Sequence, residues 1–226
     1  MINKDIETLD NPCFLNMLEK CNLCPRKCFV NRLDGELGYC KASKDVKIAK
    51  VSLHHWEEPC ISGEFGSGTV FFSNCNLKCV FCQNYEISQV GVGKTVSINR
   101  LSKIFLEQQK RGALNINLVT PTHYVPQIIE ALKLAKHYGL NIPILYNSNG
   151  YENLDTIKSL KGFIDVYLPD LKYYADKYAI KYSKAPNYFN TASKVITEMV
   201  LQVGKVKLDD DGIIQKGIIK IGRAHV

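Results

Sequence analysis

The sequence predicts an α/β fold in which parallel strands alternate with outer helices, preceded by a small cysteine-rich segment. Two observations support this prediction. From residue 68 onward, short β-branched runs alternate with amphipathic helical patterns at intervals of roughly 25 residues, which is typical of βαβ units. All nine cysteines lie at or before position 82 of the 226 residues. The chain therefore divides into a loop-like N-terminal segment, up to about residue 66, that is rich in thiols, and a regular α/β part.

The strands and helices of the α/β part follow in regular order. The predicted strands cover residues 69–73, 115–120, 142–146 and 163–168, with a candidate fifth at 213–220. A first helix has apolar positions at Leu101, Ile104 and Phe105 and ends near Gly112, which accepts the left-handed conformation that closes a helix. A second begins near Pro126 and ends at Gly139. Helices at 152–161 and 192–203 complete the pattern, which leaves open whether the sheet closes into a barrel.

Polar side chains follow each of the first four predicted strands. In parallel α/β folds the loops after the strands form the face where ligands bind. We therefore expect the candidate binding residues at this edge, and they are Cys75, Cys79, Cys82, Thr120, Thr122, His123, Asn147, Ser148, Asn149, Asp170 and Lys172.

Composition and charge exclude several classes of protein. The net charge of +7 is spread along the chain, so nucleic acid is not an expected partner. Residues 1–10 lack the apolar core of a secretory signal, and no apolar run is long enough to cross a membrane. We expect a cytoplasmic protein whose clustered, odd-numbered cysteines bind metal rather than form disulfides.

The strongest motif is the C-x3-C-x2-C triplet of Cys75, Cys79 and Cys82, in the loop after the first predicted strand. Three thiolates can hold three irons of a four-iron cluster and leave the fourth iron open. The alternative is a zinc knuckle completed by a distant ligand such as Cys60 or His123.

The triplet and its surroundings resemble radical S-adenosylmethionine (SAM) enzymes, and more closely the uncharacterised relatives of pyruvate formate-lyase activating enzyme. The resemblance covers residues 21–220 and is carried by the segments CNLCPRKC, EEP, VTPTHY, YNSNGY and YLPDLKY together with the triplet. It implies a partial (β/α) barrel. It also implies that Cys75, Cys79 and Cys82 ligate a 4Fe-4S cluster, which reductively cleaves SAM to a 5'-deoxyadenosyl radical that abstracts hydrogen from a substrate.

The same resemblance assigns cofactor-binding roles to other residues. Phe81 matches an aromatic position that contacts adenine, with core packing as the alternative. Asp170 and Lys172 match an Asp-x-Lys pair that meets the SAM carboxylate and a monovalent cation, with an exposed ion pair as the alternative. Asn147 and Ser148 align with further cation ligands. Many family members carry Gly-Gly-Glu where this chain has residues 120–123. Thr120, Thr122 or His123 would then accept a hydrogen bond from the methionyl amino group. The alternative for His123 is a structural histidine that only forms hydrogen bonds within its own loop.

A second cysteine group precedes the α/β part. Cys21, Cys24, Cys28 and Cys40 have spacings that suit a structural zinc site or a second iron–sulfur cluster, with free thiols as the alternative. With few apolar residues, this segment would need such a metal to fold. We predict a cysteine-rich segment at 1–66, an incomplete radical SAM core at 67–220 and a non-native tail at 221–226, which reads like translated adapter DNA at the end of a truncated gene.

Two functions of different classes follow. The first is a radical SAM enzyme, with a glycyl-radical enzyme as a candidate protein substrate and flavodoxin or ferredoxin as a candidate electron donor. The second is a zinc-stabilised binding module without redox chemistry. The sequence names no catalytic residue of its own, and Glu57 and Glu58 are interpreted as a solvated turn.

Overall fold

The computed structural model describes residues 12–219, with side chains from residue 16 onward. The predicted tail at 221–226 lies outside this range. The strands are β1 (Val46–His54), β2 (Ser67–Phe72), β3 (Lys94–Val96), β4 (Ile116–Val119), β5 (Ile144–Ser148), β6 (Val166–Pro169), β7 (Lys207–Leu208) and β8 (Ile214–Ile218). The α-helices are α1 (Pro12–Glu19), α2 (Pro59–Ser62), α3 (Ile98–Lys110), α4 (Val125–His137), α5 (Leu154–Ser159), α6 (Asp176–Ser183) and α7 (Tyr188–Val203).

The described strands form one sheet in the order β3-β1-β2-β4-β5-β6-β8-β7. Five strands run parallel to one another, namely β2, β4, β5, β6 and β8. β1 and β3 extend one side antiparallel, and β7 does so on the other. The predicted α/β class with mostly parallel strands is confirmed, as an open sheet with β3 and β7 at its edges.

The predicted elements of the α/β part are present with ends shifted by a few residues. The five predicted strands are β2, β4, β5, β6 and β8, and the four predicted helices are α3, α4, α5 and α7. The reading of residues 1–66 as loop-like is wrong for β1, which pairs with β2 along its length. The sheet thus crosses the predicted division at residue 66, and that division stays a prediction.

The main apolar core lies between one face of the sheet and helices α3, α4, α5 and α7. Strand residues such as Val70, Leu118 and Tyr146 pack there against Phe105 and Ile128. Burial of each large apolar side chain contributes roughly 1.5–3 kcal/mol, so this layer supplies most of the stabilisation. Alternation along each strand sends the intervening residues to the opposite face, where Leu145 and Leu168 pack against Ile61 of α2.

The carboxyl ends of β5 and β6 approach each other closely at Gly150. This glycine has φ 74°, and a Cβ at its position would overlap the carbonyl oxygen of Asp170. A glycine is therefore required where the loop after β5 passes the end of β6. Among the described helices, none has the length and apolar character needed to cross a membrane.

Candidate functional site

The cysteine triplet lies in the loop that leaves β2. Asn74, with φ 76°, turns the chain at the end of the strand, and Cys75 is buried directly after it. Cys79 and Cys82 follow in the same loop and are half-buried. The parallel strand therefore delivers all three thiols to the edge where ligands bind in such folds.

Each sulfur of the triplet has its own polar partner from another part of the chain. The Asn149 Nδ2 donates to Cys75 Sγ at 3.4 Å, and the Ser183 hydroxyl donates to Cys79 Sγ at 2.9 Å. The Cys82 Sγ lies 3.1 Å from the Ser88 hydroxyl. Donors aimed at sulfur favour the thiolate and tune an iron–sulfur cluster held by it.

The thiols of the triplet influence one another electrostatically. Burial raises the pKa of Cys75 to about 12, and the neighbouring Cys79 and Cys82 raise it further, while the Asn149 hydrogen bond opposes the change. Burial also raises the pKa of Cys79. Cys75 and Cys79 are therefore protonated in the metal-free protein, and metal binding would release their protons.

Backbone hydrogen bonds hold this loop against α6 and the end of β5. The N–H groups of Lys78 and Val80 donate to the carbonyls of Ser183 and Tyr182. On the other side of the loop, the side-chain amide of Asn76 donates to the Tyr151 carbonyl at 2.6 Å. The loop is thus positioned by elements distant in sequence.

Asp170 and Lys172 lie beside the triplet after β6. Their side chains form an ion pair, and both are about one-quarter exposed. The Lys172 charge lowers the pKa of Cys79 and the Asp170 charge raises it, so both charges act on that thiol. The Tyr188 hydroxyl fixes this segment, because it donates to the Asn149 carbonyl at 2.7 Å and accepts the Lys172 N–H at 3.0 Å.

Residues at the ends of β4 and β5 also border the candidate site. Thr120 has φ 58°, which is a strained conformation for a β-branched residue. Asn147 follows core-facing Tyr146 on β5, so its side chain points to the face away from the helices. Ser148 is buried, and its hydroxyl accepts the Gly150 N–H at 3.1 Å.

The side chains of Thr122 and His123 each form a hydrogen bond with another part of the protein. The Thr122 hydroxyl donates to Glu152 Oε1 at 2.7 Å. The His123 Nε2 lies 2.7 Å from the Ser73 carbonyl, and burial lowers the pKa of His123 to about 3, which keeps the ring neutral. The SAM contacts expected of these two residues stay predictions.

Phe81 lies at the surface of the cysteine loop. Its side chain is 44% exposed, so the alternative of core packing does not describe it. An exposed ring beside three thiols is available for stacking on a flat heterocycle.

The second cysteine group lines a single enclosed cavity of about 10 Å³. The cavity is bounded by Cys21, Leu23, Cys24, Lys27, Cys28, Arg32, Gly38, Cys40 and His123. Burial raises the pKa of Cys24 to about 12 and raises that of Cys40. The four predicted ligands are thus gathered in one place, and the structure adds His123.

Within the described residues, no three Cys, His, Asp or Glu side chains converge into a ready metal site. The donor chemistry nevertheless fits the implied group at the triplet. Three thiols lie in one loop, and hydrogen-bond donors from Asn149 and Ser183 point at two of their sulfurs. These are the features that hold and tune an iron–sulfur cluster.

Sequence reasoning missed several residues of this site. Ser183 bonds a sulfur of the cysteine loop, Tyr188 bonds the Asn149 carbonyl, and Glu152 is a buried acid bonded to Thr122. Asn149 was predicted to lie at this edge, but its hydrogen bond to Cys75 was not. Ser183 lies 104 residues from Cys79, and no local pattern pairs the two.

Comparison with known proteins decides the family. The profile of the radical SAM superfamily matches residues 69–204, which include the cysteine triplet and the Asp170–Lys172 pair. The chain belongs to the radical SAM superfamily. This membership implies an enzyme that uses a 4Fe-4S cluster and SAM.

Curated relatives of this radical SAM protein are uncharacterised. One protein of Methanocaldococcus jannaschii is 35% identical over 184 residues, which cover 77% of this chain and 52% of the relative. Another from the same organism is 23% identical over 177 residues, covering 70% of this chain and 51% of that relative. The chain thus spans about half the length of the curated relatives that it matches.

Proposed function

We propose that this protein is a radical SAM enzyme of the kind that resembles pyruvate formate-lyase activating enzyme, acting on a substrate hydrogen atom in the cytoplasm. The observation that carries the proposal is the cysteine loop after β2, with its sulfurs supported by Asn149 and Ser183 and with the Asp170–Lys172 pair beside Cys79. Family membership supports the general chemistry. The substrate class and the subgroup rest on the sequence motifs.

In this proposal, Cys75, Cys79 and Cys82 hold the 4Fe-4S cluster. When bound, the cluster and SAM together supply a 5'-deoxyadenosyl radical that takes a hydrogen atom from the substrate. The chain's own residues prepare that chemistry. Asn149 and Ser183 donate hydrogen bonds to the ligand sulfurs, and Asn76 fixes the loop to the end of β5.

Other residues would orient SAM. Lys172 can pair with a carboxylate, Asp170 and Asn147 offer oxygen ligands for an amine or a cation, and Phe81 offers an exposed ring to adenine. Since Thr120 brings its strained backbone to the same edge, its carbonyl and hydroxyl are candidate acceptors for the methionyl amino group. A glycyl-radical enzyme is the proposed protein substrate, and flavodoxin or ferredoxin is the proposed electron donor.

Anaerobic reconstitution tests the proposal. The unmodified protein, loaded with iron and sulfide and reduced in the presence of SAM, should release 5'-deoxyadenosine. The single substitutions Cys75→Ala, Cys79→Ala and Cys82→Ala should each abolish this release, because each removes one of three cluster ligands. The measurement is chromatography of the quenched reaction.

Cys60→Ser is the matched control. Cys60 is a half-buried thiol beside Ile61 and lies in neither cysteine group, so its removal should leave SAM cleavage unchanged. Cleavage that survives the loss of Cys79, or an unmodified protein that takes up iron but leaves SAM intact, would refute the proposal.

A further inference from the structure

The enclosed cavity of the N-terminal segment brings together donors from two parts of the chain. Four of its lining residues are the cysteines at 21, 24, 28 and 40, and a fifth is His123 from the loop after β4. The cavity volume of about 10 Å³ is close to the space of a single water-sized probe. It suits one small ion better than an organic ligand.

The hydrogen bond of His123 leaves one ring nitrogen available. A carbonyl oxygen can only accept, so the His123 Nε2 carries the proton that it donates to Ser73. The Nδ1 therefore carries a lone pair, and it is buried without a hydrogen-bond partner. An unpaired buried acceptor is costly, and a metal ion in the adjoining cavity would satisfy it.

The arrangement around His123 matches the usual surroundings of a metal-ligating histidine. Such a histidine commonly donates its other ring N–H to a carbonyl, which fixes the ring orientation. Arg32 adds a second restraint, because its Nη1 donates to the His123 carbonyl at 2.7 Å. The main chain of His123 is thus held by Arg32 and its ring by Ser73 before any ion arrives.

Arg32 also supplies positive charge to the same cavity. Its side chain is 1% exposed, and its hydrogen bonds run to the neutral carbonyls of Ser43 and His123. No carboxylate in the described part of the chain forms an ion pair with it. Burying a guanidinium charge without a counter-charge is costly, and metal-bound thiolates would supply the negative charge.

The main chain at residues 38 and 39 passes close to the Cys28 thiol. The Tyr39 N–H donates to the Cys28 Sγ at 3.2 Å. A Cβ at Gly38 would lie 2.9 Å from that sulfur, so the glycine lets the chain fold over the thiol. A backbone N–H directed at sulfur is expected where the sulfur becomes a metal-bound thiolate.

We propose that the N-terminal cysteines bind a single divalent ion of the zinc class, and that His123 Nδ1 is one of its four ligands. Three thiolates complete a closed tetrahedral site, which is structural because no position is left for substrate. The thiols turn into the cavity on binding, since they do not converge in the metal-free structure. The site joins the N-terminal segment to the α/β part independently of the SAM chemistry.

Cobalt(II) spectroscopy tests this ligand set. The variant Cys75→Ala/Cys79→Ala/Cys82→Ala is used so that only the N-terminal site is loaded, and SAM chemistry plays no part in the readout. One cobalt should bind per chain with the spectrum of three sulfurs and one nitrogen. His123→Ala leaves four thiols, so cobalt should still bind with thiolate charge-transfer absorption higher by about one third, as four thiolates replace three.

A matched histidine and a second measurement keep the test decisive. His137→Ala removes an exposed histidine at the end of α4 and should leave the cobalt spectrum unchanged. X-ray absorption at the zinc edge of the same triple variant, with His123 intact, should fit three sulfurs and one nitrogen at Zn–N of roughly 2.0–2.1 Å. A four-sulfur fit, an identical spectrum for folded His123→Ala, or no stoichiometric metal would overturn the proposal.

Discussion

Glu152 carries a fully buried carboxyl group in the segment between β5 and α5. Its Oε1 accepts the Thr122 hydroxyl, and its Oε2 has no hydrogen-bond partner among the described residues. Burial raises the pKa of Glu152 to about 7, and the hydrogen bond from Thr122 opposes this change. The acid is therefore largely protonated below neutral pH, which avoids an uncompensated charge in the core.

The titration of Glu152 predicts how stability depends on pH. Between about pH 4.5 and 7, the folded protein keeps a proton that the unfolded chain has released, so the free energy of unfolding falls as the pH rises. The full change is of order 3 kcal/mol, at about 1.4 kcal/mol per pKa unit. Glu152→Gln cannot ionise and should remove this decrease, measured by anaerobic urea unfolding across that range.

Glu64→Gln serves as the control for charge removal, because Glu64 is exposed. Its unfolding midpoints should follow those of the unmodified protein at every pH. If Glu152→Gln shows the same decline in stability as the parent, the buried acid does not titrate in this window.

At the scale of the elements, the site depends on how closely the ends of β5 and β6 approach. The Asp170 N–H donates to the Ser148 carbonyl at 2.9 Å, and Gly150 passes beside the Asp170 carbonyl. This contact places the Asn149 side chain within hydrogen-bond distance of the Cys75 sulfur and the Asp170 carboxylate where its charge acts on Cys79. A change at one glycine should therefore disturb both the sulfur partner and the ion pair.

Gly150→Ala should destabilise the protein beyond the cost of its left-handed backbone. The matched control is Gly162→Ala, which also has positive φ, at 84°, but meets no atom within 4 Å. Both variants carry the backbone strain, so their difference isolates the overlap with Asp170, expected at about 1–3 kcal/mol. Unfolding midpoints measure it, and equal losses for the two glycines would contradict a steric role for this contact.

The parallel part of the sheet could be predicted because each strand and helix has a regular local pattern and a glycine or proline at its boundary. β1 was missed for a physical reason. A bulge between Ile48 and Lys50 shifts the register, so the core-facing positions pass from Val46 and Ile48 to Val51. This break removes the strict alternation by which a half-buried strand is predicted.

In the candidate site, the sequence could indicate the cysteines and the Asp170–Lys172 pair but not the partners of the sulfurs. Cysteine spacing marks both thiol groups, and the segment after β6 marks Asp170 and Lys172. The partners of the sulfurs come from tertiary packing, as with Ser183 at the end of α6. His123 was predicted to contact SAM because it follows β4. In the structure it lines the cavity of the N-terminal cysteines, a contact between distant parts of the chain that no local pattern indicates.

For the whole molecule, the N-terminal segment packs directly on the cysteine loop. The Arg26 Nε donates to the Asn76 carbonyl at 3.0 Å, and its guanidinium lies 3.8 Å from the centre of the Tyr39 ring. Nearby, the Asn153 amide donates to the Asn22 carbonyl at 2.7 Å. The two cysteine groups are thus joined by a short set of contacts.

Arg26→Lys should loosen this junction while keeping the charge. Lysine lacks the planar group that stacks on Tyr39 and bonds Asn76, a loss of about 1–2 kcal/mol. Backbone amides in residues 75–82 should then exchange hydrogen about tenfold faster, as followed by mass spectrometry. The control Arg111→Lys, at an exposed position after α3, should leave the exchange rates of residues 75–82 unchanged. If these amides stay protected in Arg26→Lys, contacts other than those of Arg26 hold the N-terminal segment on the cysteine loop.

The three sulfurs of the loop after β2 are each steadied by a different neighbour, one after β5, one at the end of α6 and one in the π-helical turn Glu86–Val90. A short peptide copied from residues 75–82 would keep every thiol yet lose all of these outside supports. Transplanting this chemistry into another scaffold would therefore require moving a spatial neighbourhood rather than a stretch of sequence.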